Sequence, residues 1–198
     1  MEKIPTRDRI LESALTLFSE KGYDGVGVDL IAENAGIKGP SLYKHFKGKE
    51  EILDALIERA ESYYEVNFGS VKNPGKLPSS MEELIDSTLK RIEFTLHDPM
   101  IKRVRRMLTM EQFRNKRIAL LATKYNIDCV QEIYLRIFTE MMDSGIMRKE
   151  NPAFVSMSFA APVSLLIQMC DREPEREKEA MKRIKEFFQY FSKEYSSR

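Results

Sequence analysis

Tryptophan is absent from this 198-residue chain, and there are only two cysteines and two histidines. So few imidazoles and thiols starve most metal and nucleophilic chemistry. Cys129 and Cys170 form neither a C-x-x-C pair nor a disulfide framework, so they read as core thiols of a reducing compartment. Both lie in apolar runs with few cations to lower a thiol pKa, which speaks against a redox sensor. A di-metal helical bundle needs two Glu-x-x-His pairs, yet Leu42 and Phe94 stand three residues before His45 and His97. Zinc and triad chemistry fail for the same shortage, so the expectation is a protein that is not an enzyme, with no cofactor and no metal.

Net charge is also missing. The 32 Lys and Arg against 31 Asp and Glu leave +1, which excludes binding to nucleic acid by overall cationic excess but not by a local patch. Nine glycines and eight prolines are too few for a turn-rich all-β protein, and abundant Glu, Lys, Leu, Ile and Met favour helices. With 42% hydrophobic and 32% charged residues the balance is that of an ordinary globular chain. Met1 leads directly into charged residues with no apolar signal-like stretch, and the expected location is cytoplasmic.

Helical spacing recurs along most of the chain. Ile10, Leu11, Ala14, Leu17 and Phe18 predict a helix over about 6–21, with Thr6 as N-cap and Gly22 as a left-handed C-cap. Residues 29–35 predict a short helix ending at Gly36, and Pro40 opens another. A longer amphipathic helix follows over 49–68. The stretch Gly69 to Ser79 reads as a linker, and Ser80 with Glu83 has capping-box spacing. Helical pattern then runs to His97, and from Met100 to Asp143 as two elements divided near 113–116. Asn151-Pro152 reads as the next cap and first helical residue.

Ala153 to Cys170 contains 14 apolar residues in 18 counting Pro162, near the minimum for a membrane span. Ser156, Ser158, Ser164, Gln168 and Pro162 interrupt it and its flanks are charged. A helix buried in a bundle or an oligomer seam is therefore the expectation, with no membrane partner. The last helix carries Met181, Ile184, Phe188, Phe191 and Tyr195 at intervals of 3, 4, 3 and 4.

Chemistry concentrates between Leu30 and Phe46. Small Ala32 allows close helix approach, Gly36 supplies a turn, and Ile31, Ile37 and Leu42 can lock the pair against the first helix, the make-up of a helix-turn-helix. From Lys38 to Lys49 there are four lysines plus His45 and no acid, although residues 1–50 hold eight bases and eight acids. Positive charge sits on one element, as a helix entering the major groove requires.

The motif G-Y-x(7)-I-A-x-x-A-G-I-x-x-x-S-L-Y-K-H-F-x-x-K-E-x-I-L, from Gly22 to Leu53, resembles the DNA-binding domain of the TetR/AcrR family of bacterial transcriptional repressors. The resemblance implies a recognition helix over about 39–46. It further implies base or nearby phosphate contacts by Lys38, Gly39, Ser41 and Lys44, and phosphate contacts by Tyr43, His45 and Lys49. Two departures stand out. Gly27 occupies a capping position where relatives carry a hydroxyl, and Lys38-Gly39 replaces Ser followed by a long polar side chain.

The fold this implies is all-α: an N-terminal three-helix DNA-binding domain over 1–48, with the helix-turn-helix over about 27–46, joined to a larger helical ligand-binding and dimerisation domain over 49–198. Its expected partners are a double-stranded DNA operator, a second copy of the chain as homodimer, and a small hydrophobic effector. Tyr64, Phe68, Met107, Met110, Phe113, Tyr125, Cys129 and Phe159 are candidate effector-lining residues, since Met and aromatic side chains suit loosely specific apolar pockets. Met157, Leu165, Met181, Ile184, Phe188 and Phe191 are candidates for the dimer interface. The basic run Lys102, Arg103, Arg105, Arg106, Arg114, Lys116 and Arg117 reads either as a solvated helix face or as a lure for an anionic effector. The competing class is a helical small-molecule carrier or cryptic enzyme that has lost DNA binding.

Overall fold

The computed structural model describes residues 4–69 and 75–197; residues 70–74 of the expected linker lie outside the described residues. Among the described residues ten α-helices follow one another: α1 Thr6–Lys21, α2 Val28–Asn34, α3 Gly39–Leu42, α4 Lys49–Phe68, α5 Met81–His97, α6 Pro99–Glu111, α7 Lys116–Thr123, α8 Cys129–Asp143, α9 Pro152–Arg172 and α10 Glu177–Tyr195. A π-helical turn, Lys124–Asp128, links α7 to α8, and a short 3-10 turn precedes α10. Among the described residues there is no β-strand, only an isolated bridge between Met147 and Ser196.

The helices pack as two compact units. One holds the described residues up to Asn67 together with Pro99–Ala122, the other Phe68–Asp98 and Thr123 onward. In the first unit α1 buries Ile10, Leu11, Ala14, Leu15, Leu17 and Phe18 almost completely. At roughly 1.5–3 kcal/mol for each large side chain removed from water, this stripe is the unit's principal anchor. Polar side chains on the same helix fix α2. The Ser13 hydroxyl donates to the Ile31 carbonyl at 3.0 Å, and the Arg9 guanidinium donates to the carbonyls of Ala35 and Gly36.

Helix ends depart from expectation in two places. Thr6 is the first helical residue, not the cap; Pro5 precedes it and its carbonyl already accepts the Arg9 amide at 3.1 Å, starting the turn one residue earlier. Gly22 has φ 79° and ψ 157°, a conformation open to glycine rather than the left-handed helical one expected. A side chain there would also strike the Glu111 carboxylate.

In the second unit Phe159 of α9 is the hub, with ring centroids of Tyr134, Phe138, Phe188 and Phe191 4.7–5.3 Å away. The Tyr134 hydroxyl donates to Thr88 at 3.1 Å, so its buried polar tip is satisfied. Ser80 caps α5 by accepting the Glu83 amide at 3.0 Å, but the Glu83 carboxylate returns to the Ser79 amide at 2.7 Å rather than to Ser80. Hydrogen bonds from Lys76 and Ser79 pull that carboxyl down to about 2. Asn151 caps α9 as its spacing predicts, accepting the amides of Ala153 and Phe154.

Two expectations for this unit are corrected. Cys170 is buried at 6% exposure, but Cys129 is half-exposed rather than a core thiol. Helix α9, long and apolar enough to cross a membrane, is not buried all round by its own unit, with only 39% of its apolar stretch covered, so the bundle reading is corrected and the oligomer-seam alternative stays open. Phe154, Met157 and Leu165 are 59%, 51% and 63% exposed on one stripe.

Candidate nucleic-acid interface

The turn between α2 and α3 is built by its backbone. Gly36 adopts φ 65°, a left-handed conformation that a β-carbon would disfavour. The Ile37 amide donates to the Ala32 carbonyl at 2.9 Å, closing the helix end. The chain then runs extended through Lys38 (φ −81°, ψ 147°) into α3, where Pro40 sits in the first turn. Ile31 and Leu42 are fully buried and Phe46 nearly so, and these anchors fix which side of the element meets solvent.

That side carries the expected residues. Lys38, Lys44 and His45 are exposed and Tyr43 is 56% exposed, while Gly39 and Ser41 are half-exposed. Among the described residues, the ammonium groups of Lys38, Lys44 and Lys47 form no ion pair, although the Glu51 carboxylate accepts the Lys47 backbone amide at 2.5 Å. Regular α3 stops at Leu42 rather than continuing to Phe46. The amides of His45 and Phe46 both bond the Leu42 carbonyl, at 2.9 and 3.0 Å, tightening the end into a turn.

Lys49 differs from its expected outward role. Its ammonium donates to the Tyr23 carbonyl at 2.9 Å and lies 4.3 Å from the Tyr23 ring centroid. Burial, then the charge of Glu50, push the Tyr23 phenol up to about 12, so it stays protonated beneath that lysine. Gly27 caps α2 with extended backbone, φ −90° and ψ 159°, and no side-chain bond. No atom stands within 4 Å of where its β-carbon would be.

Sequence reasoning gave Arg7, Arg9 and Pro40 no role at the interface, Pro40 being read only as a helix opener. Arg7 stacks over the Phe46 ring at 5.1 Å, bringing a cation beside the recognition element, and Arg9 clamps the turn. Pro40 is an exposed apolar group at the leading edge of α3. A basic pair at i and i+2 in the first turn of α1 was the only local signal for the arginines.

The other candidate sets are only partly assembled. Of the effector-lining residues, Met107 is wholly buried, Phe113 is 92% exposed, and Phe159 is enclosed by rings, so none of these three lines an open cavity. Tyr64, Phe68, Tyr125 and Cys129 are half-exposed and Met110 is 38% exposed. Two open clefts of about 400 Å³, one in each unit, are lined by none of these candidates. Of the interface candidates, Ile184, Phe188 and Phe191 are at most 2% exposed because their stripe packs into the protomer's own core, and Met181 packs against it. That corrects the assignment of Ile184, Phe188 and Phe191; Met181 is half-exposed, and Met157 and Leu165 are the exposed members. In the basic run, Arg103 bonds Glu12 at 2.5 Å and Thr16 at 3.1 Å, Arg117 bonds Asp54, and Arg105 is 8% exposed. Arg103 and Arg117 therefore join helices, while Lys102, Arg106, Arg114 and Lys116 are exposed.

These features define an all-helical helix-turn-helix protein. Residues 10–56 match the family described as bacterial regulatory proteins, tetR family. The biofilm operon icaADBC negative transcriptional regulator IcaR of Staphylococcus epidermidis is 34% identical over 125 residues, covering 48% of this chain and 68% of that protein. Its Staphylococcus aureus (strain Newman) counterpart is 46% identical over 57 residues, covering 29% of this chain and 31% of that one. Among solved structures, the complex of SmeT with triclosan is 21% identical, covers 97% of this chain and 92% of its own, and superposes with a TM-score of 0.74. SmeT is the repressor of the Stenotrophomonas maltophilia multidrug efflux pump SmeDEF. The chain belongs to the TetR family of bacterial transcriptional regulators, with the family's N-terminal helix-turn-helix and C-terminal helical region.

Proposed function

We propose that the protein is a ligand-responsive repressor that binds a palindromic operator as a homodimer and is released by a small hydrophobic effector. The observation that carries this reading is the exposed cationic edge from Lys38 to His45, set on an element whose buried anchors fix its orientation. Gly27, Lys38, Gly39, Ser41, Tyr43, Lys44 and His45 are the proposed DNA contacts. Lys49 acts through Tyr23, holding the loop after α1 in place.

The proposed dimer seam is the exposed stripe Phe154, Met157 and Leu165 on α9; pairing it with a second copy removes a patch of apolar surface from water. A two-fold pair presents two recognition elements about one helical turn apart, on the order of 34 Å. The C-terminal helical region takes the effector, as SmeT takes triclosan. The effector acts only through its differential affinity for arrangements whose recognition elements do or do not match the half-site spacing. The DNA-bound regulator works in the cytoplasm. A repressor role follows the two IcaR relatives, both negative regulators.

Selection from a randomised duplex library followed by sequencing tests the whole reading. Enrichment of a palindrome is expected, whereas a carrier that has lost DNA binding enriches none. Changing Leu165 to Glu is expected to yield monomers by sedimentation; an intact dimer removes the α9 stripe from the interface.

A further inference from the structure

The chemistry of the reading edge also restricts which bases it can specify, given that the segment from Lys38 to His45 enters the major groove as proposed above. Guanine shows that groove two acceptors, adenine a donor and an acceptor, cytosine a donor, and thymine an acceptor with a methyl group. A side chain can read only the pattern it complements. The exposed groups between Lys38 and His45 are two ammoniums, the Pro40 ring, the Tyr43 phenol and the His45 imidazole, with Ser41 half-exposed. No arginine, asparagine, glutamine or acid occurs in this segment.

An ammonium has three donors and no acceptor. It complements O6 and N7 of guanine and cannot match the donor-acceptor pair of adenine, which calls for a carboxamide. His45 can donate to the same guanine acceptors. A carboxylate does stand beside α3: Asp29, exposed in the first turn of α2, has its Oδ1 3.5 Å from the position of a Gly39 β-carbon. A carboxylate accepts from the amino group of cytosine, the other half of the same base pair. The exposed Pro40 ring offers a surface for a thymine methyl.

We infer that each operator half-site is specified by a G·C pair whose guanine edge is read by Lys44, assisted by Lys38, with thymine against Pro40 and no adenine specified by a bidentate contact. Gly39 leaves the space in which those lysines approach the base edges.

The test uses the full chain and two steps. Random-duplex selection is run for wild type, Lys44→Ala and Lys38→Ala. Wild-type affinity is then measured at fixed salt on the selected duplex carrying 7-deazaguanine, which lacks the N7 acceptor, at each fixed guanine. A bidentate base contact accounts for about 5- to 150-fold in discrimination. The expected result is a palindrome with a fixed guanine in each half-site, at least about fivefold weaker binding on 7-deaza substitution there, and loss of that preference in Lys44→Ala. A palindrome fixed only at A·T pairs overturns the inference. So does a guanine insensitive to both 7-deaza substitution and the lysine changes, which leaves the lysines on phosphates. Either result leaves the DNA-binding reading intact; failure of wild type to enrich any palindrome removes both.

Discussion

The ammonium groups of Lys38, Lys44 and Lys47 project from the recognition element with no ion pair among the described residues, whereas in the run from Lys102 to Arg117 two arginines are already engaged. Arg103 holds Glu12 and Thr16 on α1, and Arg117 holds Asp54 on α4. Both runs belong to the same compact unit and look alike in composition. What separates them is the surface opposite. The first run faces solvent because Leu42 and Phe46 turn the other side inward, while Arg103 and Arg117 of the second meet acids on α1 and α4. A cationic run is a ligand surface only where the fold has not already supplied its counter-charges.

Gly22→Ala attacks the paired side of this contrast most severely. The substitution meets both a positive φ and the buried Glu111 carboxylate, one oxygen of which has no hydrogen-bond partner. Combined backbone and overpacking penalties of about 2–4 kcal/mol are expected in chemical denaturation. Stability within experimental error of wild type would show that the junction of α1 and α6 is loose. Arg103→Ala should then cost about 0.5–1 kcal/mol, since the pair is only part-covered; its value to the comparison is that operator affinity should stay unchanged. Smallest is Gly27→Ser, which adds a capping hydroxyl where there is room for one. A gain of a few tenths of a kcal/mol in stability is expected, read as a small rise in melting temperature, and a fall would mean the extended Gly27 backbone does not accept a side chain.

The contrast also shows which features could be read from the chain alone. Helix spans such as Thr6–Lys21 and Lys49–Phe68, and the caps at Ser80 and Asn151, follow from local spacing and were legible. So was the reading element, because its turn glycine, buried anchors and acid-free lysines lie within some twenty residues. Long-range pairing was not. Nothing near Arg103 in sequence points to Glu12, 91 positions away. Similarly, the stripe of Ile184, Phe188 and Phe191 says that one face of α10 is covered but not by what, and the covering groups include Phe159 and Phe138 of its own unit. The π-helical turn at Lys124–Asp128 has no composition signal, since it buries no residue.

The central claim, that the exposed lysines grip DNA and the paired arginines Arg103 and Arg117 hold the fold, is tested most directly by fluorescence anisotropy with the selected duplex at one fixed salt concentration. The two proteins to compare are Lys38→Ala/Lys44→Ala and Arg103→Ala/Arg117→Ala, each confirmed folded by circular dichroism. The lysine variant should bind at least about tenfold more weakly, in line with the loss of one good base contact, while the arginine variant binds like wild type. Equal losses in the two variants, or a loss confined to the arginine variant, would contradict the claim.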